Sequence, residues 1–567
     1  MTPTEMMVTL VSCVAFMGLV AWWSYRQSRQ EVQSKEGYFL AGRHLGGVFI
    51  AGSLLLTNLS AEQLIGLNGS AYGYDLSSMA WEVTAAVATI AMALIFLPRY
   101  LTQAFTTLPE FLRERFDPDV QRLSVILFLL GYGLVTIPSV LYSGSIAVIR
   151  LFDIPELLGL SQFEALVLTV LVIGLAGSAY AVLGGLKAVA VSDTLNGVGL
   201  LIVGTLVPVL GLITLGQGSF LDGLSTLAQT HPEKLNAIGG PASPIPFGTI
   251  FTGMIFANLF YWCANQYVIQ RTLAARTLAE GQKGVLLSGF FKILVPLFMM
   301  IPGVIAFHLY GPGLTRIDEA YPALIRDVFP LWMMGFFLAV LFGAVFSSFN
   351  SLLNSAATLF TLDIYAPLRR KSLSDTHIVR VAMITSVVIA LFSFCVAPLL
   401  WFAPEGLWQI IRIFTGFYNI PIVAIVIVGL FARHTPAIAA KVVIVFHVIA
   451  YGLVKFALAD IVTLHFLHLY AILFAIEVAL MLVAGWVAPR PVPWTPTHRA
   501  RIDMTPWRFA RPVAFSLFSL VIALYLVFSP IGFASGDIGL TFHVCLMGLL
   551  AANGVVWGRQ FMRPRQG

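Results

Sequence analysis

Ionisable side chains stand inside long apolar runs of the sequence, where they could bind ions or polar solutes. Three such residues are Asp193 in AVSDTLNG, Lys292 in FFKILVPLF and Arg412 in QIIRIFTG. An ionised group among apolar helices is costly, so it is usually paired or functional. The alternatives are that Asp193 reaches water at the end of its span, and that Lys292 pairs internally with Glu62 or Glu82.

Two apolar runs are also interrupted by clusters of uncharged polar and acidic residues. One cluster lies in SLLLTNLSAEQLIGLNGSAYG and the other in ANLFYWCANQY. Helices that break inside a membrane expose backbone groups that bind ions and polar solutes. The two interrupted runs are five apart, which is the spacing expected for two five-helix repeats of inverted topology. The cluster residues are Asn58, Ser60, Glu62, Gln63, Asn68, Asn258, Tyr261, Trp262, Asn265 and Gln266.

The elements that position these residues are apolar runs long enough to span a membrane. As a helix, about 20 residues cross about 30 Å of hydrocarbon. Because alternating ten-residue patterns are absent, the runs predict helices, and we expect an all-α polytopic membrane protein. Fifteen runs occur, at residues 5–25, 47–72, 77–101, 120–149, 162–183, 188–214, 246–270, 284–308, 329–362, 381–403, 406–431, 435–456, 463–488, 512–530 and 538–557.

Composition and charge agree with this reading, since 58% of the 567 residues are hydrophobic and only 11% are charged. If each run flips the side and the N-terminus lies outside, 26 of the 33 Lys and Arg residues fall on the cytoplasmic side. This count treats Arg271, Arg276 and Lys283 as cytoplasmic loop residues. The net charge of +6 therefore reflects topology and not nucleic-acid binding.

Other classes of protein are disfavoured. The sequence shows no combination of nucleophile and base that would indicate an enzyme. It also shows no fused signalling domain that would indicate a sensor, and no filter motif that would indicate a channel. Four cysteines stand singly in apolar runs, which argues against disulfides and metal sites; they are Cys13, Cys263, Cys395 and Cys545.

Long motifs identify a family resemblance. The runs GYFLAGRHLGG with NLSAEQLIGLNGSAYG, NLFYWCANQYVIQRTLAARTLAEGQKG, and FSSFNSLLNSAATLFTLDIY resemble the solute:sodium symporters, relatives of the sodium-coupled sugar carriers. They are most similar to bacterial sodium/galactose symporters and to an uncharacterised enterobacterial symporter branch. The likeness runs from about residue 35 to 435.

The resemblance implies a LeuT-type architecture in the bacterial inner membrane, with the N-terminus periplasmic and the C-terminus cytoplasmic. Residues 1–30 would form a peripheral helix, residues 40–432 a core of two inverted five-helix repeats, and residues 433–567 four accessory helices with a basic tail. We expect helix–helix contacts from the polar residues in or beside the accessory helices, namely His447, His465, His468, Glu477 and His543.

The resemblance also implies a sodium site. Sodium exchanges water for several oxygen ligands, which in membranes come from unwound backbone and hydroxyl groups. The implied ligands are the carbonyls of Leu56, Leu59 and Ala344 and the hydroxyls of Ser347 and Ser348, with Asp193 nearby. Asp193 would supply a negative field that admits sodium from one side. The alternative is that the two serines only pack helices, each bonded to its own backbone.

A solute site and its gates are implied in the same way. The polar candidates are Asn58, Gln63, Glu82, Asn258 and Lys292, and the gate candidates are Leu67, Trp81, Tyr261 and Trp408, with Tyr261 also able to stack on a sugar ring. Taken singly, the Asn258 amide could bridge two helices, and Tyr261 could be an interface residue.

Three positions depart from the galactose carriers, namely Ala85, Thr136 and Arg412. Arg412 departs furthest because a guanidinium is permanently charged and binds carboxylate or sulfate groups through two hydrogen bonds. It suggests an anionic sugar. The alternative is an internal salt bridge of Arg412 with Glu82 or Glu405.

The predicted function is secondary active symport, in which inward sodium movement drives uptake of a sugar or sugar derivative by alternating access. Sodium would be the coupling ion, with no organic cofactor. The expected partners are a small-molecule solute and membrane lipid, with no nucleic acid. Symport of a non-sugar solute such as a carboxylate is the alternative, and proton coupling in place of sodium stays open.

Overall fold

The computed structural model describes residues 3–28, 39–314, 317–369, 374–402, 407–499, 502–535 and 538–562. Within these ranges the chain is helical and contains no β-strand. The longer helices are α1 (Pro3–Ser28), α2 (Gly47–Asn58), α3 (Ala61–Gly73), α4 (Leu76–Gln103), α5 (Leu108–Arg115), α6 (Pro118–Ile149), α7 (Gln162–Leu215), α8 (Phe220–Gln229), α9 (Gly253–Cys263), α10 (Gln266–Leu273), α11 (Leu278–Tyr310), α12 (Ala320–Val328), α13 (Leu331–Leu368), α14 (Asp375–Phe402), α15 (Leu407–Phe431), α16 (Ala437–Ala457), α17 (Phe466–Val487), α18 (Ala510–Val527) and α19 (Leu540–Met562).

The predicted spans correspond to these helices. Among the described residues, 12 helices are long and apolar enough to cross a membrane, and α2 with α3 forms a thirteenth span that is bent. The remaining two predicted runs coincide with shorter apolar helical segments, Gln162–Ser178 and Gly253–Cys263. The all-α polytopic fold predicted from the sequence is therefore confirmed.

Helix α7 contains two predicted spans in one element of 54 residues. Its first apolar segment packs against Phe349 of α13 through Gly177, while its second, Val189–Leu215, contacts Gly343 of α13 through Asn196. Residues 177 and 196 would be about 28 Å apart along a straight helix. Because Gly343 and Phe349 are only six residues apart on α13, α7 cannot be straight between residues 177 and 196.

Both helices predicted to break in mid-span do so. Helices α2 and α3 meet at a bend of 57°, and α9 and α10 are separated by Ala264 and Asn265. Polar residues at these points can satisfy backbone groups that a break leaves without helical partners. The two broken helices place the polar clusters of the sequence in the interior of the helix bundle.

Candidate functional site

The break between α2 and α3 frees two carbonyl groups that are predicted to bind sodium. In a continuous helix the Ser60 amide would donate to Leu56, and the Gln63 amide to Leu59. Here the Ser60 amide donates to the Asn58 carbonyl at 3.1 Å, and the Gln63 amide donates to the Ser60 carbonyl at 3.1 Å. The carbonyls of Leu56 and Leu59 thus lose their helical donors and can serve as ligands.

Helix α13 places the predicted hydroxyl ligands against this break. Ser347 and Ser348 are both 3% exposed, and Ser348 Oγ lies 3.4 Å from the Thr57 carbonyl. Ser347 faces Asp193, yet its Oγ has no partner at hydrogen-bond geometry among the described residues. Ala344 is fully buried one turn earlier. The packing alternative requires each serine hydroxyl to bond to the backbone of its own helix. Neither hydroxyl does so among the described residues.

Asp193 belongs to a buried polar network. Its carboxylate accepts from Ser53 Oγ at 2.8 Å and lies 3.8 Å from the Arg271 guanidinium. Arg271 also donates to Ser53 Oγ at 2.7 Å, to the Tyr267 carbonyl and to Ser351 Oγ. This network joins α2, α7, α10 and α13 beside the predicted sodium ligands.

Arg271 corrects the charge count, which treats this residue as part of a cytoplasmic loop. It is 1% exposed because α10, the second half of a broken helix, carries it into the protein as far as Ser53. Its role was not predicted from the sequence. The available signal was its position five residues after the last polar residue of the second cluster, Gln266.

A cavity of about 70 Å³ lies next to these groups. It is lined by five of the predicted solute residues, namely Asn58, Gln63, Thr136, Tyr261 and Arg412. Ser348 lines it as well, so the cavity reaches one of the predicted sodium ligands. The Oδ1 atom of Asn58 and the Oε1 atom of Gln63 are buried without a hydrogen-bond partner in the described part of the chain. These two acceptors are available to the hydroxyl groups of a solute.

Glu82 and Lys292 form a buried ion pair behind the cavity. The Lys292 ammonium donates to Glu82, and Gln63 Nε2 donates to the other Glu82 oxygen at 3.0 Å. Both charged side chains are at most 3% exposed. The pair connects α4 with α11, and Gln63 extends it to the cavity wall. Of the two partners considered for Lys292, the structure selects Glu82; the side chain of Glu62 lies outside the described residues.

Arg412 lies at the cavity wall with its guanidinium carbon 4.1 Å from the centre of the Trp81 ring. This is a cation–π arrangement. Trp81 itself is 5% exposed. The Glu82 carboxylate considered as a partner of Arg412 is held by Lys292, and Glu405 lies outside the described residues.

Tyr261 lines the cavity, where its aromatic ring can stack on the ring of a sugar. Its hydroxyl lies beside the side chains of Asn58 and Tyr267, and its ring makes an edge contact with the Tyr267 ring at 5.8 Å between centroids. It joins the two broken helices, α2–α3 and α9–α10, at the cavity. A movement of either broken helix would therefore move Tyr261.

Other residues predicted for the solute site and its gates do not line the cavity. The Asn258 amide donates to Thr84 Oγ1 at 2.8 Å, and Ala85 is buried next to Thr84 in the sequence. Leu67 is 1% exposed in the apolar core. The side chain of Trp408 lies outside the described residues. The helix-bridging alternative for Asn258 is the arrangement found in this structure.

Several cavity residues were not singled out from the sequence. They are Tyr267, Thr415, Tyr418 and Asn419. Three of the lining residues, Arg412, Thr415 and Asn419, recur at intervals of three and four on one face of α15. That spacing is the signal by which the last two could have been found.

Helix α15 is held from outside by α16 and α17. Tyr470 Oη donates to the Arg412 carbonyl at 2.7 Å, and Tyr451 Oη donates to the Ile413 carbonyl at 2.9 Å. This close approach requires a glycine at position 416, because a Cβ atom there would lie 2.6 Å from both tyrosine oxygens. The backbone that carries Arg412 is thus fixed by α16 and α17.

A buried histidine and glutamate complete this contact. His447 Nδ1 lies 2.5 Å from Glu477 Oε1, and His447 Nε2 lies 2.9 Å from the Gly416 carbonyl. A carbonyl only accepts, so Nε2 carries a proton. One further proton must then lie between Nδ1 and Glu477, on the ring or on the carboxyl group. The helix–helix contact expected of these two residues is confirmed.

Replacing Glu477 with leucine is expected to lower the free energy of unfolding by about 1–3 kcal/mol, because a buried imidazole nitrogen loses its partner. Glu477→Gln should cost less, since the glutamine amide can donate to Nδ1 while Nε2 keeps its bond to Gly416. Denaturant titration in detergent measures both. Equal losses for the two variants would contradict the shared proton.

A family model matches most of the chain. The model of the Sodium:solute symporter family covers residues 38–442. The chain is 46% identical over 519 residues to the "Uncharacterized symporter YidK" of Escherichia coli (strain K12), covering 91% of this chain and 90% of that protein.

Two further relatives are named as cotransporters. The chain is 31% identical over 466 residues to a sodium/glucose cotransporter of Vibrio parahaemolyticus, covering 78% of this chain and 83% of the relative. It is 28% identical over 466 residues to sodium/myo-inositol cotransporter 2 of Sus scrofa, covering 75% of this chain and 66% of the relative.

The fold is similar to a solved structure of a Na⁺-coupled sialic acid symporter in a substrate-bound, outward-open state. The TM-score is 0.73 at 20% sequence identity, over 86% of this chain and 99% of the other. At this identity the likeness concerns the fold alone, and it supports the LeuT-type architecture expected from the sequence.

Proposed function

Because this chain belongs to the sodium:solute symporter family, we propose that it imports a sugar or sugar derivative together with sodium by alternating access. Relatives named as sodium/glucose and sodium/myo-inositol cotransporters support a polyhydroxylated solute. Each sodium ion that moves down 100 mV supplies about 2.3 kcal/mol, enough for roughly fifty-fold accumulation of solute.

The position of Ser348 is the observation that carries this proposal. Its hydroxyl faces the break in α2–α3, and its side chain also lines the solute cavity. Asn58 and Gln63, which line the same cavity, come from that break. A cation held at the break would therefore fix groups that the solute contacts. Thermodynamic linkage makes this coupling mutual, so each ligand strengthens binding of the other.

Uptake by proteoliposomes tests the proposal. The purified chain would be supplied with radiolabelled neutral and anionic sugars, with an inward sodium gradient or with the same concentration of potassium. We expect accumulation of at least one sugar only in the presence of the sodium gradient. Solute uptake that is indifferent to sodium would contradict the proposal.

Arg412 favours an anionic member of this solute class. It is permanently charged, lines the cavity and lies over Trp81. A guanidinium placed in this way can bind a carboxylate or sulfate group through paired hydrogen bonds. The same feature supports a second candidate function, which is sodium symport of a non-sugar carboxylate. A solute panel that contains sugar acids, sulfated sugars and simple carboxylates separates the two candidates.

Replacing Arg412 with glutamine is expected to lower the preference for anionic over neutral solutes by about 10- to 100-fold, the loss of one charged hydrogen-bonded contact. Competition for uptake by paired neutral and anionic analogues measures this preference. Arg326→Gln is the matched control, because it removes the same charge from an exposed position outside the cavity. An unchanged preference in Arg412→Gln would eliminate the anion hypothesis.

The proposed arrangement in the membrane follows the distribution of positive charge. The N-terminus is periplasmic and the C-terminus cytoplasmic, with the transport core at residues 40–432, a peripheral helix at 1–30 and accessory helices at 433–567. Labelling of single cysteines introduced at the exposed positions Arg326 and Arg380 tests the orientation. Arg326→Cys should react from outside intact cells, and Arg380→Cys only after permeabilisation.

A further inference from the structure

A second cavity lies away from the solute site. Its volume is about 390 Å³. It opens between the end of α4, the end of α15 and the chain that connects α17 with α18. The lining includes Arg99, Arg433 and His498, together with the apolar residues Pro98, Phe431 and Trp494. We call it the basic cavity.

Positive charge in the basic cavity is not balanced by protein carboxylates. No Asp or Glu lines it, and neither Arg99 nor Arg433 forms an ion pair with a described residue. Arg99 donates to the Ile95 carbonyl of its own helix at 2.6 Å, and its guanidinium carbon lies 5.0 Å from the Phe431 ring centre. The remaining guanidinium N–H groups can serve an external anion.

The basic cavity lies where two spans leave the membrane. Arg99 is four residues before the end of α4, and Arg433 is two residues after the end of α15. Phe431, between the arginines and the span, is 52% exposed. Charge distribution assigns these helix ends to the cytoplasm. A headgroup at the arginines could therefore place its acyl chains along the apolar side of α15.

The outer wall of the basic cavity is fastened to both helices. The Trp494 amide donates to the Arg433 carbonyl at 3.1 Å, and the Arg499 amide donates to the Thr102 carbonyl at 2.8 Å. The Trp494 ring also lies 5.5 Å from the guanidinium carbon of Arg115. These bonds hold the connecting chain across the ends of α4 and α15, so the space behind it is a built part of the fold.

We propose that the basic cavity binds the phosphate headgroup of an anionic phospholipid from the cytoplasmic leaflet. Basic pockets between membrane helices on this side are suited to such headgroups. The phosphate bridges Arg99 on α4 and Arg433 beyond α15. These two helices also carry Glu82 and Arg412, so a bound lipid holds together the cytoplasmic ends of two helices that form the solute site.

The test uses the purified full chain in a neutral detergent, without any transported solute. Thermal unfolding is followed while phosphatidylglycerol, phosphatidylcholine or sodium phosphate is added. We expect phosphatidylglycerol to raise the midpoint of unfolding, and the other two to leave it unchanged at equal concentration. An equal shift with phosphatidylcholine would overturn the anionic preference. An equal shift with sodium phosphate would overturn the assignment to a lipid.

Substitutions of the two arginines test where phosphatidylglycerol binds. Each arginine near the headgroup is expected to contribute about fivefold to the apparent affinity for phosphatidylglycerol. Arg99→Gln and Arg433→Gln should each weaken it by that factor, and the double variant by about thirtyfold. Arg99→Lys and Arg433→Lys should retain most of it, which separates charge from folding damage.

Arg380→Gln is the matched control, since Arg380 is an exposed arginine at the same membrane face, on α14, outside the basic cavity. We expect its affinity for phosphatidylglycerol to equal that of the unaltered chain. A loss in Arg380→Gln as large as in the other two single variants would show a general charge effect and overturn the proposed site. Because no solute is used, failure here leaves the proposed transport function untouched.

Discussion

Replacing Lys292 with methionine is expected to lower the free energy of unfolding by about 3–5 kcal/mol, because the substitution leaves the Glu82 carboxylate buried without its cation. Glu82 is 2% exposed and, among the described residues, would keep only the Gln63 amide as a donor. The loss is measured by denaturant titration in detergent. Sodium-driven uptake should fall with it, since Glu82 positions Gln63 at the cavity wall.

The double variant Glu82→Gln with Lys292→Met is the critical comparison. It removes both charges, so we expect most of the lost stability to return, whereas uptake should stay low because the paired polar groups are gone. Lys283→Met is the control on the same helix. Its ammonium lies 2.8 Å from Glu280 but is 43% exposed, so the loss should be at most about 1 kcal/mol. Equal losses for Lys292→Met and Lys283→Met would contradict this account.

The choice of Glu82 as the partner of Lys292 shows what the sequence left open. Glu62 and Glu82 were both available, and each is more than 200 residues from Lys292 in the chain. Which carboxylate meets the ammonium depends on how α4 packs against α11, and hydropathy carries no information about that packing. The need for a partner was predictable from the cost of a buried charge; its identity required the fold.

The broken helices were the most predictable part of the site. Polar clusters in otherwise apolar runs predict where the hydrogen-bonding pattern of a helix is interrupted, and both predicted breaks occur, at Leu59–Ser60 and at Ala264–Asn265. The depth of Arg271 was not predictable in the same way. Counting charges on either side of a span depends on where the span ends, and α10 continues past the predicted end into the protein interior.

Arg271 also changes the interpretation of Asp193. The resemblance implied that this carboxylate supplies a negative field for sodium, yet in the structure it lies 3.8 Å from the Arg271 guanidinium. Opposite charges at this distance largely cancel at longer range. The field that a sodium ion meets at Ser347 therefore depends on the whole network of Ser53, Asp193 and Arg271, and a movement of α10 would change it.

Replacing Ser347 or Ser348 with alanine is expected to raise the sodium concentration needed for half-maximal thermal stabilisation by about 10- to 100-fold, by analogy with the loss of one hydrogen bond to a charged group. Both hydroxyls are buried and face the break in α2–α3 or Asp193. Sodium chloride titrations, with potassium chloride at equal ionic strength as the reference, measure the shift without knowledge of the solute.

Ser393→Ala is the matched control for this experiment. Ser393 is fully buried in α14, and its hydroxyl donates to the Ile389 carbonyl of its own helix at 2.9 Å. That bond is the helix-packing role proposed as the alternative for Ser347 and Ser348. We expect sodium stabilisation of Ser393→Ala to match that of the unaltered chain. If Ser347→Ala and Ser348→Ala also match it, their hydroxyls serve packing alone, and the sodium ion must bind elsewhere in the fold.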